Sequence, residues 1–232
     1  MKRLLSLLLV LALSLALPFA LASCSDDPTD PSDIMGTGYC EYLETRDIEG
    51  RSITYVEMCV EDYGRLVILL DATSAPKTVA NFVKLVNEGF YNGLTFHRVK
   101  SNFMIQGGDP NANGTGGSSK TVEGEFIAND YYWNDIDHIE GVISMARGND
   151  MNSASSQFFI CNATSADVTN LDGNYAAFGY VVEGMSVVKA ITSRTSSNAD
   201  SKNSYVIADK SQQAVIKYIK VLEGYTPPAV EK

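Results

Sequence analysis

The chain has 232 residues, of which 45% are hydrophobic, so it is long enough for one well-packed domain and short for two. Its formal net charge is −10 at pH 7, and an acidic surface argues against binding to nucleic-acid phosphates. The same charge argues against electrostatic attachment to anionic lipid. We therefore expect a single domain with no nucleic-acid partner, and any membrane attachment requires a dedicated segment.

The first residues have the pattern of a bacterial lipoprotein signal. Lys2 and Arg3 form a short positive start, residues 4–17 are almost all apolar, and Leu-Ala-Ser-Cys follows at residues 21–24. This ending resembles the lipobox, in which the chain is cleaved before the cysteine and the thiol of Cys24 is acylated. An uncleaved transmembrane helix is the alternative, although the apolar stretch barely reaches the length of about 20 residues that a span needs. Both interpretations place the remaining chain outside the cytoplasm.

The composition divides the chain into four parts. Residues 1–23 are the predicted signal peptide, and residues 24–39 are a predicted disordered tether that starts at the lipidated cysteine. The tether contains an acidic, proline-containing stretch that cannot form a core. Residues 40–224 hold the regular hydrophobic patterns and are predicted to form the domain, and residues 225–232 form a short C-terminal tail.

Short apolar runs separated by Gly and Asn turns predict eight β-strands. They are residues 55–60, 65–70, 95–99, 103–106, 141–146, 157–161, 177–182 and Ala214–Leu222. Asp62-Tyr63-Gly64 is a predicted hairpin turn between the first two runs. Residues 76–88 and 184–191 have apolar side chains at helical spacing. The predicted fold is therefore mainly β, a closed eight-stranded antiparallel barrel capped by two α-helices.

Two long loops interrupt these patterns. Residues 111–123 are rich in Gly and Ser, but the Gly-Lys-Ser/Thr ending of a phosphate-binding loop is missing. Residues 192–213 are polar and weakly patterned, which favours disorder or a peripheral insertion.

Cysteine and histidine usage limits the chemistry. Removal of the predicted signal and acylation of its cysteine leave Cys40, Cys59 and Cys161, so at least one thiol stays free. Cys40 and Cys59 can pair only if their strands are neighbours, whereas apolar neighbours favour Cys59 and Cys161 as small buried hydrophobic residues. Because His97 and His138 are the only histidines, we expect no zinc site. We also expect no cofactor.

The candidate site combines apolar side chains with a few hydrogen-bond donors. Phe103, Met104 and Phe159 are expected to line an apolar pocket, and Arg98 and Gln106 would bring donors to its rim. The surrounding segments show no nucleophile beside a base, no paired carboxylates and no metal cluster. This pattern argues against acyl transfer, glycoside cleavage and metal-dependent hydrolysis.

Four groups of motifs resemble the cyclophilin family over residues 56–222, namely FHRV…FMIQGGD, GTGG…GEF, GVISMAR and SQFFI, in this order and at this spacing. The resemblance implies an eight-stranded barrel capped by two helices and an activity in cis–trans isomerisation of X-Pro peptide bonds. It also implies that Arg98 is the catalytic residue. The implied substrate-binding residues are Phe103, Met104, Gln106, Ala146, Arg147, Gln157, Phe159, Leu171 and Tyr175.

The chain departs from the family pattern at three positions. Asn170 stands where eukaryotic members often have Trp, Tyr175 where they often have His, and Arg147 where many members have Asn. These departures affect the expected peptide and inhibitor preference and leave the chemistry of Arg98 in place.

Other residues near the motifs are predicted to be structural. Phe158 should point away from the pocket because neighbouring side chains on a strand face opposite sides. His97, Glu125 and Phe126 are predicted to serve packing.

The sequence thus predicts a monomeric, lipid-anchored, extracytoplasmic isomerase that assists the folding of exported or surface proteins. Two alternatives stay open. One is a lipoprotein that binds proline-containing peptides without catalysis, and the other is a surface adhesion or scaffold protein on a borrowed fold.

Overall fold

The computed structural model describes residue 48 and residues 50–227. The predicted signal peptide, the lipidation site Cys24, the tether and Cys40 lie outside the described residues, as do the last residues of the predicted tail. Within the described part of the chain, we find no helix with the length and apolarity that a membrane span requires.

The described residues form one antiparallel sheet of nine strands together with three α-helices. The strands are β1 (Ile53–Val60), β2 (Gly64–Asp71), β3 (Thr95–Phe96), β4 (Arg98–Lys100), β5 (Met104–Gly107), β6 (Val142–Met145), β7 (Phe158–Cys161), β8 (Ala177–Glu183) and β9 (Ala214–Leu222). The helices are α1 (Pro76–Asn87), α2 (Ala166–Thr169) and α3 (Met185–Thr195).

The sheet is rolled into a nearly closed barrel. Its strand order is β3-β9-β1-β2-β8-β6-β7-β5-β4, so β3 and β4 are the two edges. These edge strands follow each other in the chain and are separated by His97 alone, which brings the two edges together. The predicted mainly β barrel is confirmed. It has nine strands where eight were predicted, because the run 95–99 is interrupted at His97, where the chain passes from one edge to the other.

The two predicted helices are confirmed, and each contributes side chains to the barrel interior. Helix α1 begins at Pro76, a residue without the N–H that the first turn leaves unpaired. The buried carboxylate of Glu125 accepts the next N–H groups, from Lys77 at 2.9 Å and Thr78 at 2.8 Å. Glu125 was predicted only as packing, so its role as the cap of this helix was missed. The short helix α2 was not predicted.

Apolar side chains form two clusters on opposite faces of the sheet. The larger cluster fills the barrel, where Phe82 of α1 packs against Phe158 and Phe178 with ring centroids 5.6 and 5.2 Å away. The smaller cluster includes Met104 and Phe159. Phe158 and Phe159 therefore face opposite sides of β7, as the alternation of strand side chains predicts.

The two described cysteines differ. Cys161 is free and fully buried, as predicted, and burial raises the pKa of its thiol. Cys59 is also fully buried, but it is disulfide-bonded, so its description as a simple buried hydrophobic residue is incomplete.

Residues 192–213 were predicted as disorder or as a peripheral insertion, and of these two alternatives disorder is wrong. Helix α3 continues to Thr195, and in short turns that follow it the side chains of Asp200 and Asp209 accept the N–H groups of Lys202 and Ser211. The segment then packs along β4, where the N–H of Val99 donates to the carbonyl of Tyr205 at 3.1 Å. Order in this segment comes from local polar capping, from backbone pairing and from burial of Ile207 in the core, none of which leaves a hydrophobic period in the sequence.

Candidate active site

The strand register places four side chains in one row on the outer face of the barrel. Arg98 on β4 is paired with Gln106 on β5, Gln106 with Phe159 on β7, and Phe159 with Ser144 on β6. Side chains of directly paired residues project from the same face of a sheet. The row therefore forms a continuous surface that begins at the barrel seam.

A cavity of about 170 Å³ opens over this row. Its lining residues are Arg98, Phe103, Met104, Gln106, Ala146, Arg147, Phe159, Leu171 and Tyr175. Every residue that the sequence assigned to catalysis or substrate binding lines this cavity, apart from Gln157. The cavity thus joins an apolar floor of Met104 and Phe159 to the guanidinium groups of Arg98 and Arg147.

Two hydrogen bonds hold the guanidinium group of Arg98. Its Nη1 donates to Gln106 Oε1 at 2.8 Å, and its Nε donates to the carbonyl oxygen of Ser204 at 2.7 Å. The remaining nitrogen, Nη2, has no hydrogen-bond partner among the described residues. Burial lowers the pKa of Arg98, but an arginine stays protonated in proteins. Ser204 lies in the segment predicted to be disordered, and nothing in its composition pointed to this contact.

Gln157 supports the site from beside the cavity. Its Oε1 accepts a hydrogen bond from Gln106 Nε2 at 2.8 Å, so Gln106 is fixed between Arg98 and Gln157. The Nε2 of Gln157 donates to the carbonyl oxygens of Gly114 at 3.1 Å and Gly116 at 2.7 Å. Gln157 therefore connects the row to the glycine-rich loop.

A second cavity of about 300 Å³ adjoins the first. Its lining residues are Gln106, Gly114, Gly116, Ala146, Arg147, Gly148, Ser153, Ser155 and Gln157. Because Gln106, Ala146 and Arg147 line both cavities, the two form one extended groove. The sequence assigned Gln106, Ala146, Arg147 and Gln157 to substrate binding, but it predicted no role for the glycines and serines of this part of the groove.

The glycine-rich loop is organised around the buried carboxylate of Asp109. That carboxylate accepts N–H groups from Asn111 at 2.8 Å, Asn113 at 3.1 Å and Gly114 at 2.6 Å. Burial alone would raise the pKa of Asp109, but these N–H groups hold it below the usual range. The loop thus directs its N–H groups at an internal carboxylate, which agrees with the argument against a phosphate-binding loop.

His97 is buried in the barrel seam beside the cavity. Both of its ring nitrogens are buried without a hydrogen-bond partner, and a methyl group added at Gly114 would lie 3.8 Å from Nε2. Burial lowers the pKa of His97, and the charge of Arg98 acts in the same direction. The carboxylate of Asp109 and the backbone of Thr95 oppose this shift without reversing it. The ring is therefore held neutral.

Arg147 is held between two aromatic rings. Its guanidinium carbon lies 4.8 Å from the ring centroid of Tyr175 and 5.1 Å from that of Phe126. Its Nε donates to the carbonyl oxygen of Asn174 at 3.0 Å. Two of the three departures from the family pattern, Arg147 and Tyr175, therefore contact each other and form one wall of the groove. The third departure, Asn170, is exposed and does not line either cavity.

A hydrogen-bonded chain behind Phe159 was missed in the sequence. His138 Nδ1 lies 2.8 Å from Asp172 Oδ1, and its Nε2 lies 2.9 Å from Ser144 Oγ. The His138 ring stacks on Phe159, with centroids 6.0 Å apart and planes inclined by 17°. The set resembles a Ser-His-Asp triad, but Ser144 is fully buried, so no acyl substrate can reach its hydroxyl. We conclude that it supports the floor of the cavity.

The described part of the chain contains no candidate metal site. Among residue 48 and residues 50–227, no three His, Cys, Asp or Glu side chains are grouped so that they could hold a metal ion.

Comparison with known proteins identifies the family. Residues 55–212 match the family described as cyclophilin type peptidyl-prolyl cis-trans isomerase/CLD. The chain is 44% identical over 127 residues to peptidyl-prolyl cis-trans isomerase ppi1 of Schizosaccharomyces pombe, covering 54% of this chain and 77% of that protein. It is 41% identical over 130 residues to peptidyl-prolyl cis-trans isomerase B of Bacillus subtilis, covering 56% of this chain and 85% of that protein.

Solved structures agree with this assignment. A crystal structure of a Cryptosporidium parvum cyclophilin type peptidyl-prolyl cis-trans isomerase matches with a TM-score of 0.62 and 27% identity, covering 75% of this chain and 100% of that chain. A second crystal structure of that protein, determined in the presence of the dipeptide Ala-Pro, matches with a TM-score of 0.61 and 28% identity, covering 73% of this chain and 99% of that chain. The chain therefore belongs to the cyclophilin-type peptidyl-prolyl cis-trans isomerase family.

Proposed function

We propose that this peptidyl-prolyl cis-trans isomerase uses Arg98 as its catalytic side chain and acts on exported or surface proteins as they fold. The observation that carries the assignment of the site is the placement of a fixed guanidinium group at the edge of a small cavity with an apolar floor. The related isomerase structure determined with an Ala-Pro dipeptide supports a proline-containing ligand for such a cavity.

The reaction needs no covalent chemistry. Resonance keeps the X-Pro amide planar and opposes rotation by about 18–20 kcal/mol, so that uncatalysed exchange takes roughly tens to hundreds of seconds. An enzyme accelerates the rotation if it binds the twisted amide more tightly than either planar isomer. The absence of an accessible nucleophile in the described cavity is compatible with this requirement.

Arg98 supplies the interaction that the twisted amide needs. Rotation stops the conjugation of the prolyl nitrogen, and its lone pair then becomes a hydrogen-bond acceptor. Nη2 of Arg98 is the guanidinium nitrogen that is left to donate to that lone pair or to the prolyl carbonyl. Arginine keeps its charge at any working pH, and the contact is stronger where apolar walls exclude water.

The other cavity residues hold the substrate. Phe103, Met104, Phe159 and Leu171 provide apolar surface for the prolyl ring. Gln106 is fixed between Arg98 and Gln157 and is placed to bind the peptide backbone. Ala146 and Arg147 line both cavities, which fits the residue that precedes proline, and Tyr175 closes the wall beside them.

The cellular site of action rests on the first residues of the chain. A positive start, an apolar stretch and the Leu-Ala-Ser-Cys sequence support a signal peptide followed by acylation of Cys24. An acylated chain would be anchored to the bacterial cell membrane with its domain outside the cytoplasm, where unfolded exported proteins are the available clients.

The activity is tested by exchange spectroscopy on a short peptide with one Ala-Pro bond, with and without the full chain. We expect faster exchange at substoichiometric amounts of the chain. If the chain bound the peptide and left its exchange rate unchanged, the non-catalytic peptide-binding alternative would replace the enzyme.

The anchor is tested by metabolic labelling with a radioactive fatty acid in a bacterial host. We expect the wild-type chain and a Cys40→Ala control to carry the label, and Cys24→Ala to lose it. An unlabelled wild-type chain that stays in the membrane would favour the uncleaved transmembrane helix.

A further inference from the structure

Exposed apolar side chains are concentrated in one loop beside the groove. The large hydrophobic residues that are exposed in the described part of the chain are Ile127, Tyr132, Trp133 and Met151. Three of them, Ile127, Tyr132 and Trp133, lie within one short stretch of sequence, and we call them the aromatic patch. Trp133 is 79% exposed and Tyr132 is 69% exposed. Such a group of large exposed side chains is typical of an interaction site.

The backbone under the aromatic patch is firmly held. The side-chain amide of Asn134 donates to the carbonyl oxygens of Glu125 at 2.9 Å and Ala177 at 2.8 Å. The next apolar residue, Ile136, is buried in the outer cluster. Trp133 is therefore presented outward from an anchored loop, and a preorganised surface loses less entropy on binding.

One member of the aromatic patch, Ile127, lies beside a wall of the groove. The N–H of Ala128 donates to the carbonyl of Gly173 at 2.8 Å, and a methyl group added at Gly173 would lie 3.5 Å from Ile127 Cβ. Gly173 lies between Leu171 and Tyr175, which line the first cavity. A polypeptide that leaves the groove along this wall therefore meets Ile127 next, and Tyr132 and Trp133 follow in the same loop.

The loop that carries the aromatic patch is acidic, although basic side chains reach it from other segments, as Arg147 does where it stacks on Phe126 at 5.1 Å. No Lys or Arg occurs from Thr121 to Ala146, whereas Asp130, Asp135 and Asp137 are exposed in the same loop. Asp135 pairs with Arg51, but Asp130 and Asp137 have no ion-pair partner among the described residues. A surface of this kind repels anionic lipid and attracts apolar segments that carry basic residues.

We propose that the aromatic patch is a second docking site for the client chain, which binds a segment of mixed apolar and basic residues next to the X-Pro bond in the groove. This inference rests on the proposed function, because the bound segment must be connected to a prolyl bond at Arg98. The patch would raise the affinity for unfolded clients and leave the chemistry at the proline unchanged. Trp and Tyr are the residues that most often carry binding energy at such sites.

The test uses three peptides with the same Ala-Pro bond. The first is short, the second carries an extension of Leu and Lys on either end, and the third carries an equally long extension of Ser and Glu. With the full wild-type chain, we expect kcat/KM for the Leu/Lys peptide to exceed that for the short peptide about tenfold, the size of one good interfacial contact. We expect no gain for the Ser/Glu peptide.

Variants assign the gain to the patch. Trp133→Ser should abolish the advantage of the Leu/Lys peptide and leave kcat/KM for the short peptide unchanged. The control is Tyr63→Ser, which removes an aromatic ring from the β1–β2 turn, and it should keep the full advantage. Because Trp133 is the one Trp of the chain, its fluorescence reports binding directly and should shift to shorter wavelength with the Leu/Lys peptide.

The outcomes separate the two proposals. No acceleration of the short peptide would contradict the isomerase activity itself. Acceleration of the short peptide with equal kcat/KM for all three peptides would overturn the docking site alone. A fluorescence shift with neutral or anionic phospholipid vesicles, or on self-association of the chain, in place of a shift with the Leu/Lys peptide would also overturn it, in favour of a membrane surface or a second copy.

Discussion

Two neighbouring rows of residues cross the same four strands and lie on opposite faces of the sheet. The outer row consists of Arg98, Gln106, Phe159 and Ser144. The inner row consists of Val99, Ile105, Ile160 and Ile143. The inner row is wholly aliphatic and fully buried in the barrel, whereas the outer row carries polar groups at the candidate site.

The difference shows how the barrel positions its site. Side chains alternate between the faces of a sheet, so the packing that fixes the inner row also fixes the outer row one residue away. Arg98 is aimed by this register and then held by Gln106 and the carbonyl of Ser204. The core is thus the support of the site, and the two faces should respond differently to the same substitution.

The largest effect is expected from truncating the adjacent phenylalanines of β7. Phe158→Ala removes a fully buried ring from the barrel and should lower the free energy of unfolding by about 3–5 kcal/mol. Phe159→Ala should cost less stability, because one side of its ring faces a cavity that is open to ligand. Its main effect should be a drop in kcat/KM of about tenfold or more, from lost apolar contact with the prolyl ring. Urea unfolding and peptide exchange rates measure the two effects. If the two variants lost equal stability and Phe159→Ala kept wild-type activity, the inner and outer rows would not differ in function.

A smaller effect is expected at Ser204, which supports the outer row from another segment. Its backbone has φ of 54°, a region that β-branched residues strongly avoid. Ser204→Val should displace the carbonyl that accepts from Arg98 and lower kcat/KM about tenfold, as loss of a hydrogen bond to a charged group does. Ser204→Gly keeps this backbone and is the matched control. If both variants retained wild-type activity, the contact would not position Arg98.

His97, which is buried in the seam between β3 and β4, should make the free energy of unfolding depend on pH. The unfolded chain protonates His97 near pH 6.5, whereas burial keeps the folded ring neutral to lower pH. The free energy of unfolding should therefore fall as the pH drops below about 6.5, by at most about 1.4 kcal/mol per pH unit, until the lowered pKa is reached. Asp109 adds a separate loss only below about pH 4, because its folded pKa is lowered.

His97→Leu tests this assignment. Both ring nitrogens lack partners, so an apolar residue of similar size should be tolerated and should remove the decline in the first pH window. The loss in the acidic window should stay. Denaturant titrations at a series of pH values measure how steeply the free energy of unfolding falls in each window. If the decline below about pH 6.5 were unchanged in His97→Leu, another group would be responsible for it.

The smallest effect is expected at the wall of the groove. Arg147→Lys keeps the charge and loses the planar group that stacks between Phe126 and Tyr175. The stacking contributes about 0.5–1 kcal/mol, so we expect a change of about two- to fivefold, mainly in KM. A peptide series that varies the residue before proline measures it. If the substitution lowered kcat by a larger factor than it raised KM, Arg147 would take part in the isomerisation step.

The sequence could predict the elements of the fold and the membership of the cavity. Each predicted strand and both helices are present because apolar periodicity and turn residues reflect the burial that holds them. The sequence could not show that the run 95–99 is divided at His97, since a change of edge leaves no periodic signal. The alternation of Phe158 and Phe159 was predictable, because neighbouring strand residues must face opposite sides.

The features that the sequence did not predict depend on backbone groups or on partners that are distant in the chain. Ser204 contacts Arg98 through its carbonyl oxygen, which every residue has, so its identity carries no signal. Glu125, His138 and Asp172 act through partners far away in the sequence. Of the two alternatives for residues 192–213, disorder or a peripheral insertion, disorder was wrong because Asp caps, backbone pairing with β4 and burial of Ile207 order a polar segment without a hydrophobic pattern.

The central claim is that Arg98 preferentially stabilises the twisted prolyl amide, and exchange spectroscopy on an Ala-Pro peptide tests it most directly. The wild-type chain is compared with Arg98→Ala, after circular dichroism and thermal unfolding have shown that the variant is folded. We predict that Arg98→Ala lowers kcat/KM by about 10²–10³-fold, as removal of one transition-state donor does, while the peptide still binds. A folded Arg98→Ala variant with activity within about threefold of wild type, a change of less than about 1 kcal/mol, would contradict the account.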